Sequence, residues 1–380
     1  MKRKITFLTG TRADYGKIKS ILQTLSSDTH FITSIFVTGM HLEEKFGSTY
    51  NEIIKDNFLH IFLDKTEKQS TSMNGRLGSL IVRFDQFVKE NHSDMIVVHG
   101  DRLEALAGAI VGAFNNILVA HIEGGEITGT IDESIKHAIS KFAHLHFVAN
   151  EEAKTRLIQL GEIQENIHII GSPDIDIMLS PSLPPLQTVL QHYDIPFKTY
   201  ALVLYHPVVT ELEKIKSQTQ ELVNAINASQ QNFVIIYPNN DDGSEEILAQ
   251  YTRLISKKNS IKIVPSFRFE YFLTLLKQAA FILGNSSAGV REACVYGIPA
   301  IDLGTRQAGR YKADILKNII HLPEYTEKDI LLAMSQVEQH RYTSSIFGSG
   351  NSAQNFHSIL CNELTWQTPK QKKFIDFVLS

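Results

Sequence analysis

Cysteine is scarce in this 380-residue sequence, and its scarcity limits the environments in which the protein can work. The two cysteines, Cys294 and Cys361, form no C-x-x-C pair and no familiar metal-ligand spacing. This pattern excludes a disulfide framework and favours a reducing compartment. We therefore expect a cytoplasmic protein.

Long apolar runs and blocks of one charge are also missing. The N-terminal segment MKRKITFLTG starts with basic residues, but its apolar part is too short for the core of a signal peptide. No apolar run reaches the length of a membrane span. The chain has 37 basic and 41 acidic residues, a net charge of −4, and no long basic block. These absences argue against a membrane or a nucleic acid as a partner.

The sequence does contain an alternation of short apolar runs with helical patterns. Seven candidate strands precede residue 172, and five more follow a proline-rich segment over 171–186. This alternation is typical of parallel sheets with helices on both faces, and the length suits two domains. We predict an α/β protein in which two Rossmann-like domains face a central cleft. They are expected at 1–170 and 187–350, with a linker over 171–186 and C-terminal helices over 351–380 whose docking site is left open.

Ligands of such sheets bind beyond the carboxyl ends of the strands, so polar motifs at those positions carry the functional information. The motif FLTGTRADYGK places Arg12 between Gly10 and Gly16 at the end of the first strand. Backbone N–H groups and a guanidinium at that point suit a phosphate. The alternative is a plain tight turn, because a glycine turn after the first strand is common in α/β domains.

The motif GNSSAGVREA makes a similar case in the second half of the chain. Ser286 and Ser287 can bind a phosphate or simply cap the next helix. Glu292 suits a ribose diol, by analogy with the acid of dinucleotide sites. In the nearby DLGTRQAGR, Arg306 and Arg310 either neutralise a diphosphate or solvate a loop. Together these residues predict a nucleotide site.

Carboxylates follow two candidate strands of the first half. Asp101 and Arg102 follow MIVVHG, and Glu123 follows ILVAHI. If these strands are neighbours, the crowding of like charges favours one protonated and one ionised carboxyl, as acid–base catalysis requires. The alternatives are a helix N-cap for Asp101, an ion pair with a local Arg or Lys for Glu123, and a helix cap for Asp132.

Histidines offer a further proton-transfer group. His206 stands at the end of the first strand of the second domain, where it can act as an acid, a base or a hydrogen-bond donor. The alternative is a ring packed beside Pro207. His99 and His121 fall within apolar strands and are interpreted as core residues. No H-x-x-x-H or H-E-x-x-H spacing occurs, so we predict no metal site.

Five ordered motifs over about residues 1–320 resemble one enzyme family. They are GTRADYGK, HGDR, HIEGGEITGTIDESIKHAIS, GNSSAGVREA and GTRQAGR. These motifs are similar to those of the hydrolysing UDP-N-acetylglucosamine 2-epimerases of bacterial sialic acid synthesis, the NeuC type. The resemblance implies a glycosyltransferase-B-like fold, conversion of UDP-GlcNAc and water to N-acetylmannosamine and UDP, and no dissociable cofactor. Ala13 and Asp14 stand where non-hydrolysing relatives carry Pro-Glu, which favours the hydrolysing branch.

The resemblance also implies roles for individual residues. Asp101, Glu123 and Asp132 match the catalytic acids. His206 matches a residue that contacts or protonates the departing UDP. The positions associated with UDP are matched by Arg12, Arg102, Ser286, Ser287 and Arg310 for the diphosphate and by Glu292 for the ribose. Family members assemble as homodimers or homotetramers, and we expect the same here.

The implied reaction accounts for a loop rich in carboxylates after a buried strand. In α-linked UDP-GlcNAc the C1–O bond and the C2 hydrogen are trans-diaxial, so UDP and that proton can leave in one anti elimination. A base must take the C2 hydrogen, cations must hold the diphosphate, and hydration must deliver a proton to the opposite face of C2. Which acid removes the C2 proton stays open.

Other functions are compatible with parts of the pattern. Some relatives act on UDP-2,4-diacetamido-2,4,6-trideoxyglucose in legionaminic acid synthesis, and the residues around C4 and C6 are not identifiable in the sequence. Non-hydrolysing epimerisation of UDP-GlcNAc is another alternative. A glycosyltransferase or a non-catalytic sugar-nucleotide binder is more remote, because neither needs three acids in the first domain.

Overall fold

The protein is described by a computed structural model that covers residues 2–44, 47–64, 72–127, 131–239, 241–252, 254 and 259–376. The chain divides into two compact units. One comprises Met1–Leu179 with Ile346–Ser380, and the other comprises Ser180–Ser345. Each unit contains a parallel sheet with helices, so the predicted α/β class with two Rossmann-like domains is confirmed.

The sheet of the first unit is covered on both faces. Within the described residues its strands are β1 (Arg3–Thr9), β2 (Phe31–Val37), β3 (Ile61–Leu63), β4 (Met95–His99), β5 (Leu118–Ile122), β6 (Leu145–Val148) and β7 (Ile167–Ile169). They lie in the order β3-β2-β1-β4-β5-β6-β7, and all seven were predicted. Phe7 belongs to one apolar layer and Leu8 to the other, because successive side chains of a strand point to opposite faces.

Helices connect these strands. In the first unit they are α1 (Arg12–Ser26), α2 (Tyr50–Lys55), α3 (Met73–Asn91), α4 (Leu103–Phe114), α5 (Ile131–Phe142), α6 (Glu151–Gln159) and α7 (Pro173–Met178). The first helix starts at Arg12 because Thr11 and Asp14 form a capping box. Gly16 therefore lies inside α1, not in a turn.

The second unit has one strand more than the sequence predicted. Within the described residues its strands are β8 (Ala201–Leu204), β9 (Phe233–Ile236), β10 (Ile261–Val264), β11 (Ile282–Gly284), β12 (Ala300–Leu303) and β13 (Ile319–Leu322), in the order β10-β9-β8-β11-β12-β13. The short β13 pairs with β12 and is followed at once by Pro323, which leaves too brief a pattern to recognise.

The helices of the second unit are α8 (Leu186–His192), α9 (Ile215–Ala228), α10 (Ser244–Tyr251), α11 (Phe269–Gln278), α12 (Glu292–Tyr296) and α13 (Glu327–Gln336). In the part of the chain that the structure describes, no helix of either unit has both the length and the apolar character of a membrane span.

The C-terminal segment belongs to the first unit, which changes the expected boundaries. Helix α14 (Ser352–Cys361) buries Phe356 and Leu360 in the core against β1 and α1. Asp176 of α7 accepts hydrogen bonds from the backbone N–H groups of Ser352 (2.9 Å) and Ala353 (2.7 Å) at the start of α14.

The predicted linker over 171–186 therefore differs from the structure. Part of it is α7, a helix of the first unit that begins at Pro173, where proline costs no helical hydrogen bond. The predicted domain over 187–350 likewise differs, because the chain re-enters the first unit at Ile346.

The second predicted C-terminal helix, over 370–379, is absent from its described part, 370–376. Lys372 Nζ instead donates to the carbonyls of Ser140 (3.0 Å) and Ala143 (2.7 Å) at the end of α5 and pairs with the carboxylate of Glu162. These tertiary contacts hold the segment in a non-helical conformation despite its local pattern.

Candidate active site

The predicted site residues lie at the carboxyl ends of strands, next to the point in each sheet where the strand order reverses. In the first unit that point lies between β1, which precedes Arg12, and β4, which precedes Asp101 and Arg102. In the second it lies between β8, which precedes His206, and β11, which precedes Ser286. Doubly wound sheets bind their ligands at such points.

The two strands that carry the predicted acids are neighbours. Strands β4 and β5 pair in parallel with His99 opposite Ile122. Glu123 follows Ile122 directly and Asp101 follows His99 by two positions, so both lie at the same edge of the sheet. The acid–base hypothesis required the strands that precede Asp101 and Glu123 to be neighbours, and they are.

Glu123 occupies a strained backbone conformation. Its φ of 71° is in the left-handed region, which glutamate rarely adopts and which costs free energy. Its carboxylate lies 3.0 Å from His99 Nε2 and 3.1 Å from Lys17 Nζ. The ion-pair alternative is thus what the structure shows, with Lys17 as the partner. His99 is buried, as expected of a core residue, yet its ring contacts a predicted catalytic acid.

Lys17 extends this network to a second buried acid. Its Nζ lies 4.0 Å from Asp174 Oδ2, and the side chain of Asp174 is 1% exposed. Neither carboxylate oxygen of Asp174 has a hydrogen bond within the described part of the chain. A buried carboxyl group with so few polar partners is costly to the fold.

Asp101 is paired with a buried lysine. Lys136 Nζ lies 3.3 Å from Asp101 Oδ2, and the Lys136 side chain is 0% exposed. Asp101 does not cap α4, because Arg102 is the N-cap residue and no side chain caps that helix. The capping alternative for Asp101 is therefore contradicted. Burying the ammonium group of a lysine is costly unless an opposite charge lies beside it. Among the described residues, Asp101 provides that charge.

Asp132 lies in the first turn of α5, not before the helix as a cap. It precedes Lys136 by four residues, so the two side chains occupy the same side of α5. Desolvation lowers the pKa of the Arg102 guanidinium, but nearby carboxylates outweigh this effect and raise the pKa above its ordinary value. The carboxylates that do so belong to Glu104, Asp14, Asp132 and Asp101.

The turn after β1 is less open to an anion than the sequence suggested. Asp14 accepts hydrogen bonds from the backbone N–H groups of Gly10 (3.0 Å) and Thr11 (3.2 Å), so these donors are already used. The Arg12 guanidinium lies 3.9 Å from Glu52 and is partly exposed. The backbone geometry thus supports the tight-turn alternative, and Arg12 offers its side chain alone.

In the second unit Asn285 joins three strand ends. Its side-chain carbonyl accepts from the backbone N–H of His206 (2.7 Å), and its amide donates to the carbonyl of His206 (2.8 Å). Its backbone carbonyl accepts from the side chains of Gln307 (2.7 Å) and Arg306 (3.2 Å). Asn285 therefore positions residues that follow β8 and β12. The only sign of this role in the sequence is that a polar residue follows FILG.

The His206 ring has a defined tautomer. Its Nδ1 accepts a hydrogen bond from the backbone N–H of Asn239 at 3.0 Å, so the hydrogen of the neutral ring is on Nε2. Desolvation, and then the positive charge of Arg306, hold the pKa of His206 well below its ordinary value. The ring is half-buried and can donate a hydrogen bond through Nε2. At neutral pH it is not protonated, so it is a poor general acid.

The remaining predicted nucleotide residues follow β11 and β12. Ser286 caps a short 3₁₀ turn that contains Ser287, and its hydroxyl accepts from the N–H of Ala288 at 3.4 Å, as the capping alternative proposed. Glu292 is buried at the start of α12. Arg310 donates to Gln307 Oε1 at 3.0 Å.

Comparison with known proteins identifies the family. A family profile described as UDP-N-acetylglucosamine 2-epimerase matches residues 23–361. The chain belongs to this family. It is 44% identical over 382 residues to the UDP-N-acetylglucosamine 2-epimerase of Neisseria meningitidis serogroup B, with 99% of this chain and 100% of that protein covered. Over 367 residues it is 35% identical to the UDP-N,N'-diacetylbacillosamine 2-epimerase (hydrolyzing) of Legionella pneumophila, with 95% and 96% covered.

The fold of this epimerase-family member also matches solved structures. A crystal structure of UDP-GlcNAc 2-epimerase from Neisseria meningitidis bound to UDP-GlcNAc superposes with a TM-score of 0.81 over 94% of this chain and 100% of that one, at 17% identity. At such identity the likeness concerns the fold alone. The family membership confirms the predicted resemblance, and the chain is therefore an enzyme of an epimerase family.

Sequence reasoning missed several polar residues of the two units that lie near the predicted ones. Their common feature is a polar or charged side chain that is wholly or mostly buried: Lys17, His99, Lys136, Asp174, Asn285 and Gln307. Lys136 left a recognisable signal, because it follows Ile135 and precedes Ile139 on the apolar side of α5. The pairing of Lys17 with Glu123 left none, because the two residues are 106 positions apart.

Proposed function

We propose that the protein is a hydrolysing UDP-GlcNAc 2-epimerase, which converts UDP-GlcNAc and water to N-acetylmannosamine and UDP and so supplies an amino sugar for sialic acid synthesis. The observation that carries this proposal is that two of the predicted acids, Asp101 and Glu123, follow neighbouring strands at one edge of the first sheet and lie beside lysines. Glu123 lies against His99 and Lys17, and Asp101 lies against Lys136. A binding protein has no need of such pairs.

The reaction requires two proton transfers on opposite faces of C2, and UDP leaves together with the first proton. In the first step a carboxylate takes the C2 proton, the C1–O bond breaks, its electron pair leaves with UDP, and a C1–C2 double bond forms. In the second step water adds its oxygen to C1 and gives up a proton to a carboxylate or to solvent, while an acid protonates C2 from the other face. We assign these transfers to Asp101, Glu123 and Asp132, because base and acid must both stand near the sugar.

The second unit supplies the groups that suit the departing UDP. A neutral His206 with its hydrogen on Nε2 donates to a phosphate oxygen without first gaining a proton. Arg306 and Arg310 follow β12 and add positive charge, while Ser286 and Ser287 add hydroxyl donors. Glu292 is assigned to the ribose. Stabilisation of the leaving diphosphate lowers the barrier because negative charge grows there as the C1–O bond breaks.

The test is incubation of the protein with UDP-GlcNAc in D₂O. We expect release of UDP and N-acetylmannosamine that carries deuterium at C2, measured by NMR and mass spectrometry. Accumulation of UDP-N-acetylmannosamine without free UDP would instead assign the non-hydrolysing reaction. A product without deuterium would contradict proton transfer at C2.

A second substrate is favoured by one observation. The Legionella relative, 35% identical over 95% of this chain, is named for hydrolysis of UDP-N,N'-diacetylbacillosamine. The two UDP-sugars should therefore be offered in equal amounts in a competition assay. Preferential consumption of UDP-GlcNAc would support UDP-GlcNAc as the substrate. Survival of UDP-GlcNAc while the diacetylated sugar disappears would instead assign the diacetylated sugar as the substrate.

A further inference from the structure

A cluster of metal-ligating side chains lies at the edge of the first sheet opposite to the acids. Asp28 precedes β2, whereas Glu123 follows β5, so the two occupy opposite ends of parallel strands. His357 and Cys361 are one turn apart on α14 and face Asp28. One donor atom from each of Asp28, His357 and Cys361 lies within 4.8 Å of the other two. The family reaction has no use for these residues.

We propose that Asp28, His357 and Cys361 form a zinc site. A thiolate, an imidazole and a carboxylate are zinc ligands, and an N–S separation of about 3.5 Å follows from tetrahedral bonds of ~2.0 and ~2.3 Å. Cys361 Sγ lies 3.6 Å from His357 Nε2. The same Nε2 is 2.7 Å from Asp28 Oδ2, a hydrogen bond that zinc would replace. The histidine and cysteine donors are thus at the separation that zinc needs, and the carboxylate of Asp28 must move away from His357 Nε2 to share the metal with both.

The ligands are held in position by their surroundings. The Asp28 carboxylate accepts from the backbone N–H of His30 at 2.8 Å. The imidazole of His357 packs against the edge of Phe31, with ring centroids 5.8 Å apart, and Phe31 stacks on Trp366. Contacts of this kind orient ligands and strengthen metal binding.

A fourth donor is also at hand. His30 Nδ1 lies 2.7 Å from Asp28 Oδ1, the carboxylate oxygen that does not contact His357. His30 is exposed, so its ring is free to turn toward a metal or to leave that position to water. Zinc binding releases one proton from these ligands. The imidazole stays neutral with its hydrogen on Nδ1, and the thiol proton of Cys361 leaves to solvent.

Such a site would be structural, not catalytic. It joins the turn between α1 and β2 to α14, across 329 positions of sequence. Closure of so long a loop restricts the unfolded chain and stabilises the folded unit. It would fix the C-terminal segment, which re-enters the first unit after the second unit is complete.

The experiment titrates the chelator-treated protein with Co²⁺ and then displaces it with Zn²⁺. We expect one Co²⁺ per chain and a thiolate-to-cobalt charge-transfer absorption that Zn²⁺ abolishes. Cys361→Ser should lose the absorption, although it retains Cys294, and His357→Gln should bind at least about tenfold more weakly. A matched control is His321→Gln, which removes a histidine paired with Asp302 in the second unit and should bind Co²⁺ like the parent.

Protein stability gives a second readout that does not depend on cobalt. Zn²⁺ should raise the unfolding temperature of the parent but not of Cys361→Ser, while the two proteins unfold at similar temperatures in chelator. An absorption that survives Cys361→Ser, or equal Zn²⁺ stabilisation of both proteins, would overturn the zinc site. Either failure would leave the proposed reaction untouched, because UDP release in D₂O is measured in chelator.

Discussion

At the scale of single residues, two of the predicted acids of the first unit, Asp101 and Glu123, lie against a lysine that sequence patterns conceal. Lys136 is the clearest case, because its buried ammonium lies 3.3 Å from Asp101 Oδ2 and holds that carboxylate in position. We predict that Lys136→Met lowers turnover of UDP-GlcNAc by about a hundredfold, the usual contribution of one proton-transfer group.

The control for this prediction is Lys136→Arg, which keeps the charge. It should recover part of the turnover, because it restores a positive charge beside Asp101. UDP binding, measured by calorimetry, should be similar in all three proteins. Near-normal rates in Lys136→Met would mean that the pair with Asp101 has no role in catalysis.

The backbone of Glu123 supports a second prediction at this scale. A non-glycine residue in the left-handed region costs roughly 1–2 kcal/mol, a strain that glycine avoids. Glu123→Gly should therefore be more stable than Glu123→Ala by about 1 kcal/mol in urea unfolding, although both lack the acid and should be inactive.

The matched pair for Glu123 is Glu126→Gly and Glu126→Ala, three residues further along the same loop. Glu126 does not have a positive φ, so glycine should be the less stable substitution there. The same order of stability at both positions would show that the left-handed backbone is not the source of the difference.

At the scale of elements, the strands and the strand ends could be predicted, because they depend on local patterns of residues. Apolar runs marked all seven strands of the first sheet, and the polar residues after them marked the strand ends where the site lies. The buried partners could not be predicted, because Lys136 meets Asp101 only after β4, β5 and α5 have packed. The same holds for Lys372, whose contacts with α5 override a local helical pattern.

One close contact between elements supports a third prediction. Gly125, in the loop after β5, has φ of +75°, and a Cβ there would lie 2.2 Å from the backbone carbonyl of Ala153 in α6. Gly125→Ala must therefore move the loop that begins at Glu123, and we expect it to destabilise the first unit and to reduce turnover. Gly161→Ala is the control, because its φ of +82° gives similar strain but a Cβ would meet nothing closer than 3.9 Å.

The two glycine variants separate backbone strain from the close contact. Gly161→Ala should lose roughly 1 kcal/mol from strain alone and keep its turnover. Gly125→Ala should lose more free energy of unfolding and also turnover. Equal losses of stability in both proteins would mean that the loop relaxes away from α6 without consequence.

At the scale of the whole molecule, the chain has two compact units, and the proposed acids lie in the first while His206 and the serines proposed to bind UDP lie in the second. This division makes the stability of each unit a separate quantity, because a two-domain chain need not unfold in one step. The single tryptophan, Trp366, packs against Phe31 and reports on the first unit alone.

This reporter allows a final prediction about pH. Burial lowers the pKa of His121 to about 3. His121 is therefore neutral in the folded unit, while the unfolded chain gains a proton below its ordinary pKa near 6.5. Stability is unaffected above that pH and falls as the pH drops from about 6.5 toward 3. Between pH 7 and pH 5 this histidine alone should remove about 2 kcal/mol from the free energy of unfolding.

The measurement is urea unfolding followed by Trp366 fluorescence at pH 7 and pH 5, for the parent and for His121→Gln. The variant loses the hydrogen bonds of His121 to the carbonyl of Gly100 (2.8 Å) and the hydroxyl of Ser140 (3.2 Å), so it should be less stable at pH 7. Its further loss at pH 5 should nevertheless be about 2 kcal/mol smaller than that of the parent. His60→Gln, at an exposed position, should keep the full pH dependence, and a parent-like dependence in His121→Gln would refute the buried neutral ring as its cause.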